Sequence, residues 1–310
     1  MRAFALGSFG EDGSILEVEV PHPEAHEVRV KVIAASINPV DWKTGKGYLK
    51  DFMEHRFPLV PGQDFAGVVD AVGAHVHDLK EGDEVFGSHG QPFMGRGTHA
   101  EYVIAASDAV ARKPASVSPM AAASIPLAGV TAMMSVEAIG AGPGDAVLIV
   151  GASGGVGSFA VQLAARRGAH VIAVARQVNH EYLRRLGAAD TVDYESGNLS
   201  DKVRAAHAGP LDGIIDLASS AETVRELTSL LRDGGTVASP VGTAPMDDPR
   251  IKGAFIVAQV TRDRLDQIAS LVADGTLVIP EIRTFRLDEV GSAFRESEGG
   301  HVRGKLVVTL

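Results

Sequence analysis

The chain has 310 residues, of which 45% are hydrophobic and 22% charged, and its formal net charge is −10. This length favours two domains, and the balance of apolar and charged residues excludes a disordered chain. The sequence contains no cysteine, which excludes disulfides, thiolate nucleophiles and thiolate-ligated metal sites. The acidic balance, with no run of basic residues, predicts that nucleic acid is not a partner.

An uncharged stretch from Pro114 to Val136 has the length of a membrane span. Most of its residues are small or polar, and Pro126 stands in its middle, so we expect a buried element of a globular domain instead. The N-terminal residues lack the apolar core of a signal peptide and are typical of a first β-strand. The sequence therefore predicts a cytoplasmic protein that has no contact with membranes.

The N-terminal third of the sequence is typical of a β-rich domain. Residues 27–34 (EVRVKVIA) alternate between apolar and charged side chains, as a strand with one buried face does. Glycine and proline turn signals then recur at short intervals. We expect short strands in a compact, barrel-like arrangement.

The middle of the chain alternates between strand and helix patterns. Residues 146–150 (AVLIV) form a continuous apolar run, typical of a parallel strand covered on both faces. A helix pattern follows from Gly155 to Arg167, and His170–Ala175 is a second apolar strand. Repeated alternation of this kind predicts an α/β fold with a doubly wound parallel sheet. After Leu277 the pattern returns to short strands around one helix.

A glycine-rich motif, GASGGVG at residues 151–157, lies between the first predicted parallel strand and its helix. Glycines at such a turn let the backbone turn tightly and approach a pyrophosphate, whose charge the helix N-terminus stabilises. The strand on one side and the helix on the other indicate a dinucleotide site. The alternative is a glycine-rich turn that holds no ligand.

The residue that follows the second strand distinguishes between the two nicotinamide cofactors. An NAD site places Asp or Glu there to accept hydrogen bonds from the ribose 2′-hydroxyl. In this chain the strand ends at Ala175 and Arg176 follows, with no carboxylate beside it. A guanidinium is suited to a 2′-phosphate, which favours NADPH. The alternative is that Arg176 is only a solvated charge at the end of a strand.

Several motifs occur in an order that is characteristic of one family. They are residues 35–43 (ASINPVDWK), 61–67 (PGQDFAG), 80–87 (KEGDEVFG), 97–102 (GTHAEY), 125–131 (IPLAGVT), the glycine motif, 186–188 (LGA) and 301–305 (HVRGK). Together they resemble the medium-chain dehydrogenase/reductases, and among them the zinc-independent, zeta-crystallin-like quinone oxidoreductases. The resemblance implies a Rossmann NADPH-binding domain at residues 121–265. It also implies a GroES-like substrate domain built from residues 1–120 and 266–310.

The sequence departs from the zinc alcohol dehydrogenases of this family at the metal ligands. Asn38 stands where those enzymes have cysteine, and Gly62-Gln63-Asp64 stands where they have Gly-His-Glu. We therefore expect no metal at the family's zinc position.

The resemblance also implies a set of cofactor contacts. The backbone of Gly154, Gly155 and Val156 is expected to hold the pyrophosphate. Around the 2′-phosphate and the nicotinamide half of the cofactor, the implied residues are Arg176, Asn179, Tyr194, Thr131, Val241, Gly242, Phe255 and Val257. The alternative for Phe255 and Val257 is a place in the apolar core.

For the chemistry, the resemblance implies hydride transfer from NADPH to a quinone or a similar electrophilic carbonyl compound. Its candidate catalytic residues are Asn38, Tyr48 and Asp41. We expect Asn38 and Tyr48 to donate hydrogen bonds to the developing oxyanion. For Asp41 and Lys43 the alternative to a catalytic role is a structural hydrogen bond or ion pair.

Two other functions fit the same motifs. One is the NADPH-dependent reduction of enal or enone double bonds, since the substrate loops do not separate it from quinone reduction. The other is a non-enzymatic NADPH-binding sensor or structural protein.

A homodimer is expected, because the apolar segment Ala254–Gln259 is typical of a sheet edge that pairs with a second copy.

Overall fold

The computed structural model describes residues 1–195 and 197–310. Its contacts divide the chain into two units, one of Met1–Leu127 with Val260–Leu310 and the other of Ala128–Gln259. The sequence predicted these divisions at residues 120/121 and 265/266. The chain therefore leaves its first unit, forms the second, and returns to complete the first.

The strands of the described residues are numbered in chain order. They are β1 (Arg2–Ala5), β2 (Ser14–Glu17), β3 (Glu27–Ile37), β4 (Glu54–Val60), β5 (Asp64–Val72), β6 (Glu84–Ser88), β7 (Phe93–Arg96), β8 (Tyr102–Ala106), β9 (Val110–Arg112), β10 (Ala146–Val150), β11 (His170–Val174), β12 (Asp190–Val192), β13 (Leu211–Asp216), β14 (Leu231–Ser239), β15 (Lys252–Phe255), β16 (Ile282–Arg286) and β17 (Lys305–Thr309).

The α-helices are numbered in the same way. They are α1 (Pro39–Gly45), α2 (Pro119–Ala123), α3 (Pro126–Ile139), α4 (Gly155–Arg166), α5 (His180–Arg185), α6 (Leu199–Ala206), α7 (Ala221–Thr228), α8 (Arg262–Ala273) and α9 (Val290–Glu298).

The unit built from both chain ends contains a sheet in the order β16-β17-β3-β5-β6-β9, with β8 also paired to β3. The last strand of the chain, β17, runs antiparallel to β3, with Leu306 opposite Ile37. Alternate residues of β3 are buried in an apolar core that includes Val28, Val30 and Phe65. This pairing places the residues that follow β3, where α1 begins, beside the start of β17.

The other unit contains a six-stranded parallel sheet in the order β12-β11-β10-β13-β14-β15. All five residues of β10 are buried, as expected for a central strand covered on both faces. The order in which successive strands are added to the sheet reverses between β10 and β13, and ligands of such sheets bind at the carboxyl ends of the strands at this point. The predicted fold class, a doubly wound sheet with a β-rich second domain, is thus confirmed.

Two elements differ from their predicted bounds. We expected a strand at Thr236–Ser239, whereas β14 begins at Leu231, because Gly234-Gly235 forms an irregularity inside the strand and not a turn before it. The segment predicted as an edge strand, Ala254–Gln259, is a strand only as far as Phe255.

The uncharged stretch forms two separate helices, α2 and α3. Within residues 1–195 and 197–310, no helix combines the length and the apolar character that crossing a membrane requires.

Candidate active site

The glycine motif forms the turn between β10 and α4 at the carboxyl edge of the parallel sheet. Gly151 has a φ of +77°, which favours glycine. A Cβ atom on Gly157 would lie 2.3 Å from the carbonyl oxygen of Gly151, whereas one on Gly154 would have no neighbour nearer than 3.5 Å. Gly157 therefore permits close packing of the helix on the turn, and the space at Gly154 is open, as the approach of a pyrophosphate requires.

The N-terminus of α4 is suited to an anion. Gly154 is its N-cap residue, it provides no side-chain cap, and the first turn of the helix carries no acidic residue. The backbone N–H groups of Gly155 and Val156 lie in this first turn, where an α-helix offers no internal acceptor. The positive end of the helix dipole is thus left for a ligand, and these residues fit the pyrophosphate of a dinucleotide.

Arg176, Asn179 and Tyr194 lie at the carboxyl ends of two neighbouring strands, β11 and β12. Burial raises the pKa of Tyr194, and the positive charge of Arg176 opposes that shift, so the guanidinium and the phenol are within electrostatic reach of each other. Asn179 is buried and donates a 3.2 Å hydrogen bond to the hydroxyl of Ser153 in the glycine motif. The structure thus places all three residues at one edge of the sheet, with Asn179 in contact with the glycine motif.

A buried carboxylate at the end of β13, the strand beside β10, accepts hydrogen bonds from two turns of the chain. Asp216 ends β13, is fully buried, and accepts hydrogen bonds from the hydroxyl of Thr243 and, at 3.0 Å, from the backbone N–H of Ser219. Sequence reasoning missed Asp216, although a single carboxylate at the end of an apolar run is a visible signal. Its hydrogen bonds fix the turn after β13 against the turn after β14.

The predicted residues Val241, Gly242 and Phe255 come together at the ends of β14 and β15. Gly242 has a φ of +80°, and a Cβ atom on it would lie 3.9 Å from the ring of Phe255. Val241, Phe255 and Val257 are exposed by 41%, 58% and 60%. The alternative that Phe255 and Val257 belong to the core is therefore wrong for this chain.

Thr131 lies on α3 in the same unit and is 5% exposed. Its carbonyl oxygen accepts a 2.7 Å hydrogen bond from the hydroxyl of Ser135. The contact of Thr131 with the cofactor stays a prediction.

In the unit built from both chain ends, Asn38 is the centre of a buried polar network. Its side-chain oxygen accepts a 2.6 Å hydrogen bond from the ammonium of Lys305, and its amide nitrogen donates at 2.9 Å to Asp64. Asp64 also accepts hydrogen bonds from the hydroxyl of Ser36 and the backbone N–H of Leu127. Burial lowers the pKa of Lys305 and raises that of Asp64, while each group's charge opposes the shift of the other.

Asp41 lies in the first turn of α1 and is 1% exposed. One of its oxygens accepts a 2.7 Å hydrogen bond from the backbone N–H of Asn38, while the other has no hydrogen-bond partner among the described residues. Burial raises the pKa of Asp41 well above its usual range, and the nearby charge of Asp64 adds to the shift. This carboxyl caps the helix that follows Asn38.

Tyr48 follows α1 and differs from Asn38 and Asp41 in its environment. Its side chain is 60% exposed, and its ring meets the ring of Trp42 edge-on at 6.1 Å. Its backbone N–H donates to the carbonyl oxygen of Lys43. Of the three predicted catalytic residues, Tyr48 alone presents its side chain to solvent.

The residues at the family's zinc position do not fit zinc. The oxygen of Asn38 already accepts from the ammonium of Lys305, and both oxygens of Asp64 accept hydrogen bonds. The chain offers no thiolate, and a buried ammonium is a competing cation at this place.

Sequence reasoning also missed Lys305 as a member of this network, although it was part of the HVRGK motif. The signal was a lysine placed at the head of an apolar strand, followed by Leu306, Val307 and Val308, where a charged side chain requires a partner.

Comparisons with known proteins agree with this architecture. The family model described as the alcohol dehydrogenase GroES-like domain matches residues 24–115, and the one described as zinc-binding dehydrogenase matches residues 155–284. The chain is 30% identical to the chloroplast envelope quinone oxidoreductase homolog of Arabidopsis thaliana, over 99% of this chain and 98% of that protein. It is 31% identical to the NADPH-dependent alkenal/one oxidoreductase, chloroplastic, of the same plant, over 99% and 79%.

Comparison with a solved structure also supports this family assignment. The quinone oxidoreductase from Coxiella burnetii superposes with a TM-score of 0.90 at 32% identity, covering 100% of this chain and 99% of that one. The fold and the site thus define an oxidoreductase that binds a nicotinamide cofactor. The chain belongs to the medium-chain dehydrogenase/reductase family and is quinone oxidoreductase-like, which confirms the resemblance found in its sequence.

Proposed function

We propose that this protein catalyses metal-independent hydride transfer from NADPH to an electron-poor carbonyl compound, with a quinone as the favoured acceptor. The proposal rests on the features that lie together at the carboxyl edge of the parallel sheet. There an open glycine turn and an uncapped helix N-terminus lie next to Arg176, with no carboxylate directly after β11.

The preference for NADPH rests on charge. A carboxylate after the second strand would repel a 2′-phosphate, whereas the guanidinium of Arg176 pairs with it through charge-assisted hydrogen bonds. Tyr194 stands within the electrostatic reach of the same guanidinium, and its hydroxyl adds a donor. When bound, NADPH supplies the hydride; the protein supplies binding, orientation and polarity.

The proposal that the reaction is independent of metal rests on the buried hydrogen-bond network around Asn38. Since the lone pairs of Asn38 and Asp64 are engaged by protein donors, we propose that no Lewis acid acts at this position. Quinones and α,β-unsaturated carbonyls are already electrophilic, so hydrogen-bond donors near the developing oxyanion suffice.

The three candidate catalytic residues then take different roles. Both N–H groups of the Asn38 amide are directed inward, at 2.9 Å to Asp64 and at 3.4 Å to Ser36. We therefore propose that Asn38, with Asp41, is a positioning residue that fixes the start of α1. Tyr48, whose side chain is exposed after that helix, is the proposed hydrogen-bond donor to the acceptor oxygen.

Conjugate reduction of an enal or enone is the second candidate function. It is favoured by the 31% identity to a relative described as an NADPH-dependent alkenal/one oxidoreductase, and it needs the same cofactor site and the same oxyanion donor.

The test is the initial rate of NADPH oxidation with an ortho-quinone, with NADH as a control under the same conditions, and then with 2-hexenal and 1-octen-3-one. We expect turnover of the quinone that prefers NADPH. Turnover of the enal or enone alone would replace the first candidate with the second. Binding of NADPH without turnover of any activated acceptor would instead identify a non-enzymatic NADPH-binding protein.

We also propose that the chain forms a homodimer through the edge of its parallel sheet. One of the two edge strands of this sheet is β15, and the exposed side chains of Phe255 and Val257 lie at its end and just beyond it. An unpaired strand edge with apolar side chains is suited to pairing with its two-fold copy. Light scattering is expected to give twice the mass of one chain, and one chain's mass for Phe255→Glu; a monomeric wild type would refute the proposal.

A further inference from the structure

Two histidines and an aspartate form a cluster in the Ala128–Gln259 unit, away from the glycine motif. His170, Asp190 and His207 each offer one ligand atom, and these atoms lie within 4.8 Å of one another. In residues 1–195 and 197–310 no other group of three or more histidine, aspartate or glutamate side chains meets this criterion. The side chains of His170 and Asp190 are 43% and 33% exposed, so the cluster is open to ions from solvent.

The cluster is held by regular structure. His170 is the first residue of β11 and Asp190 the first residue of β12, and the parallel pairing of the two strands places Asp190 opposite Ile172, two residues after His170. The backbone N–H of His170 donates to the carbonyl of Asp145 at 2.8 Å, and that of His207 donates to Val203 at the end of α6 at 2.8 Å. The three backbones are therefore fixed before any ligand binds.

The side chains already face one another. The Nε2 atom of His170 lies 2.5 Å from an oxygen of Asp190, and the rings of His170 and His207 are 5.2 Å apart. Zinc holds histidine nitrogens and carboxylate oxygens at about 2.0–2.2 Å, in a tetrahedron completed by water when the protein supplies three ligands. All three residues are only partly buried, so their side chains have room to adjust to this geometry.

The donor types select the class of metal. Two imidazoles with one carboxylate suit borderline transition ions such as Zn²⁺, whereas Ca²⁺ and Mg²⁺ prefer oxygen ligands alone. The surrounding charge is compatible with a cation. Asp212 lies within electrostatic reach of His207 and is paired with Arg232, so Arg232 does not act as an uncompensated positive charge, and Asp190 contributes a negative one.

We propose that His170, Asp190 and His207 form a zinc site at the amino edge of the parallel sheet. The bound ion links the starts of β11 and β12 to the residue after α6, at the edge opposite the glycine motif. It therefore stabilises this unit and takes no part in hydride transfer. The site is independent of the proposed function, since neither the cofactor residues nor the acceptor residues belong to it.

The test uses the full chain after dialysis against EDTA and its removal, titrated calorimetrically with ZnCl₂. We expect one equivalent to bind and the melting temperature to rise. Asp190→Asn and His207→Gln are each expected to weaken binding by about tenfold or more and to abolish the rise. Titration with Co²⁺ is expected to give a visible absorption band that both variants lose.

A matched control is His75→Gln. His75 lies 3.2 Å from His26 in the other unit, a pair that provides only two ligands, so this variant is expected to bind zinc like the wild type. NADPH binding by all three variants shows whether they are folded. The proposal is overturned if the wild type binds no zinc at a large excess of the ion, or if folded Asp190→Asn and His207→Gln bind it as the wild type does.

Discussion

Lys305 donates a 2.6 Å hydrogen bond to the side-chain oxygen of Asn38, 267 positions earlier in the chain. The amide nitrogen of Asn38 donates in turn to Asp64 at 2.9 Å, so the carboxamide lies between a buried ammonium and a buried carboxylate. This relationship connects the last strand of the chain to the residue that precedes α1. The two chain ends are thus joined by charge and hydrogen bonds as well as by strand pairing.

The first prediction concerns the loss of this ammonium. Lys305→Met removes the donor to Asn38 and the positive charge that acts on the buried Asp64. Leaving a buried charge uncompensated costs about 3–5 kcal/mol. We expect the free energy of unfolding, measured by urea denaturation at neutral pH, to fall by that amount.

The control is Lys46→Met, which removes a lysine that is paired with Glu298 at the surface, where the side chains are 41% and 38% exposed. It is expected to leave the free energy of unfolding close to that of the wild type. The double variant Lys305→Met with Asp64→Asn is expected to regain part of the loss. Equal stability of Lys305→Met and the wild type would show that the ammonium of Lys305 does not stabilise the buried network.

The parallel sheet and the glycine turn were predictable because their signals are local. Five consecutive apolar residues in β10 and the glycines after them specify a buried strand and a tight turn, whatever the rest of the chain does. The start of β14 was not predictable, because the irregularity at Gly234-Gly235 depends on pairing with β13.

The polar networks were not predictable, because their members are distant in the sequence. Nothing near Lys305 indicates Asn38, and nothing near His170 indicates His207. Asp64 and Asn38 were visible in the sequence only as departures from a zinc-binding pattern, and the hydrogen bond of Asn38 to Lys305 becomes evident only when β17 is paired with β3.

The second prediction separates two glycines of the same motif. In Gly154→Ala the new methyl group enters open space and the backbone is already in an ordinary conformation, so we expect the stability to be unchanged. We expect the affinity for NADPH to fall by roughly tenfold, because the methyl group hinders the approach of the pyrophosphate. In Gly157→Ala it would lie 2.3 Å from the carbonyl oxygen of Gly151, and we expect a loss of stability of about 2 kcal/mol or more. Fluorescence titration and thermal melting measure the two effects, and full NADPH affinity in Gly154→Ala would argue against a pyrophosphate at this turn.

The third prediction addresses the choice of cofactor. Arg176→Ala is expected to weaken NADPH binding by about 10- to 150-fold, the equivalent of one or two charge-assisted hydrogen bonds, and to leave NADH binding nearly unchanged. Arg185→Ala removes the same charge from α5, where Arg185 pairs with Glu181 at the surface, and is expected to bind both cofactors normally. Dissociation constants for both cofactors decide the matter; parallel losses for NADPH and NADH would mean that Arg176 does not recognise the 2′-phosphate.

The fourth prediction concerns Tyr48. Tyr48→Phe removes the hydroxyl and keeps the ring that meets Trp42, so we expect normal stability and NADPH affinity with kcat lowered by about 100-fold, as for the loss of one oxyanion donor. Tyr102→Phe is the matched control, since the ring of Tyr102 lies under the guanidinium of Arg29, and is expected to retain full activity. Unchanged turnover in Tyr48→Phe would remove Tyr48 from the mechanism.

The fifth prediction is a loss of stability in acid caused by two buried histidines. His89 and His99 are 3% and 0% exposed, and burial lowers the pKa of each to about 4 from an ordinary value of 6.5. The unfolded chain therefore binds more protons than the folded one between these two values, so the stabilisation is complete above pH 6.5 and is lost as the pH falls towards 4. From pH 7 to pH 5 the loss is about 2 kcal/mol for each histidine.

The variant His99→Leu isolates this effect. The raised pKa values of Asp41 and Asp64 act in the opposite direction, because the folded chain binds those protons more readily, but they act equally in both proteins and cancel in the comparison. Urea denaturation at the two pH values is expected to show that His99→Leu loses about 2 kcal/mol less than the wild type. His22→Leu, at an exposed position, is expected to behave as the wild type does, and an equal loss in His99→Leu would show that His99 is not held neutral by the fold.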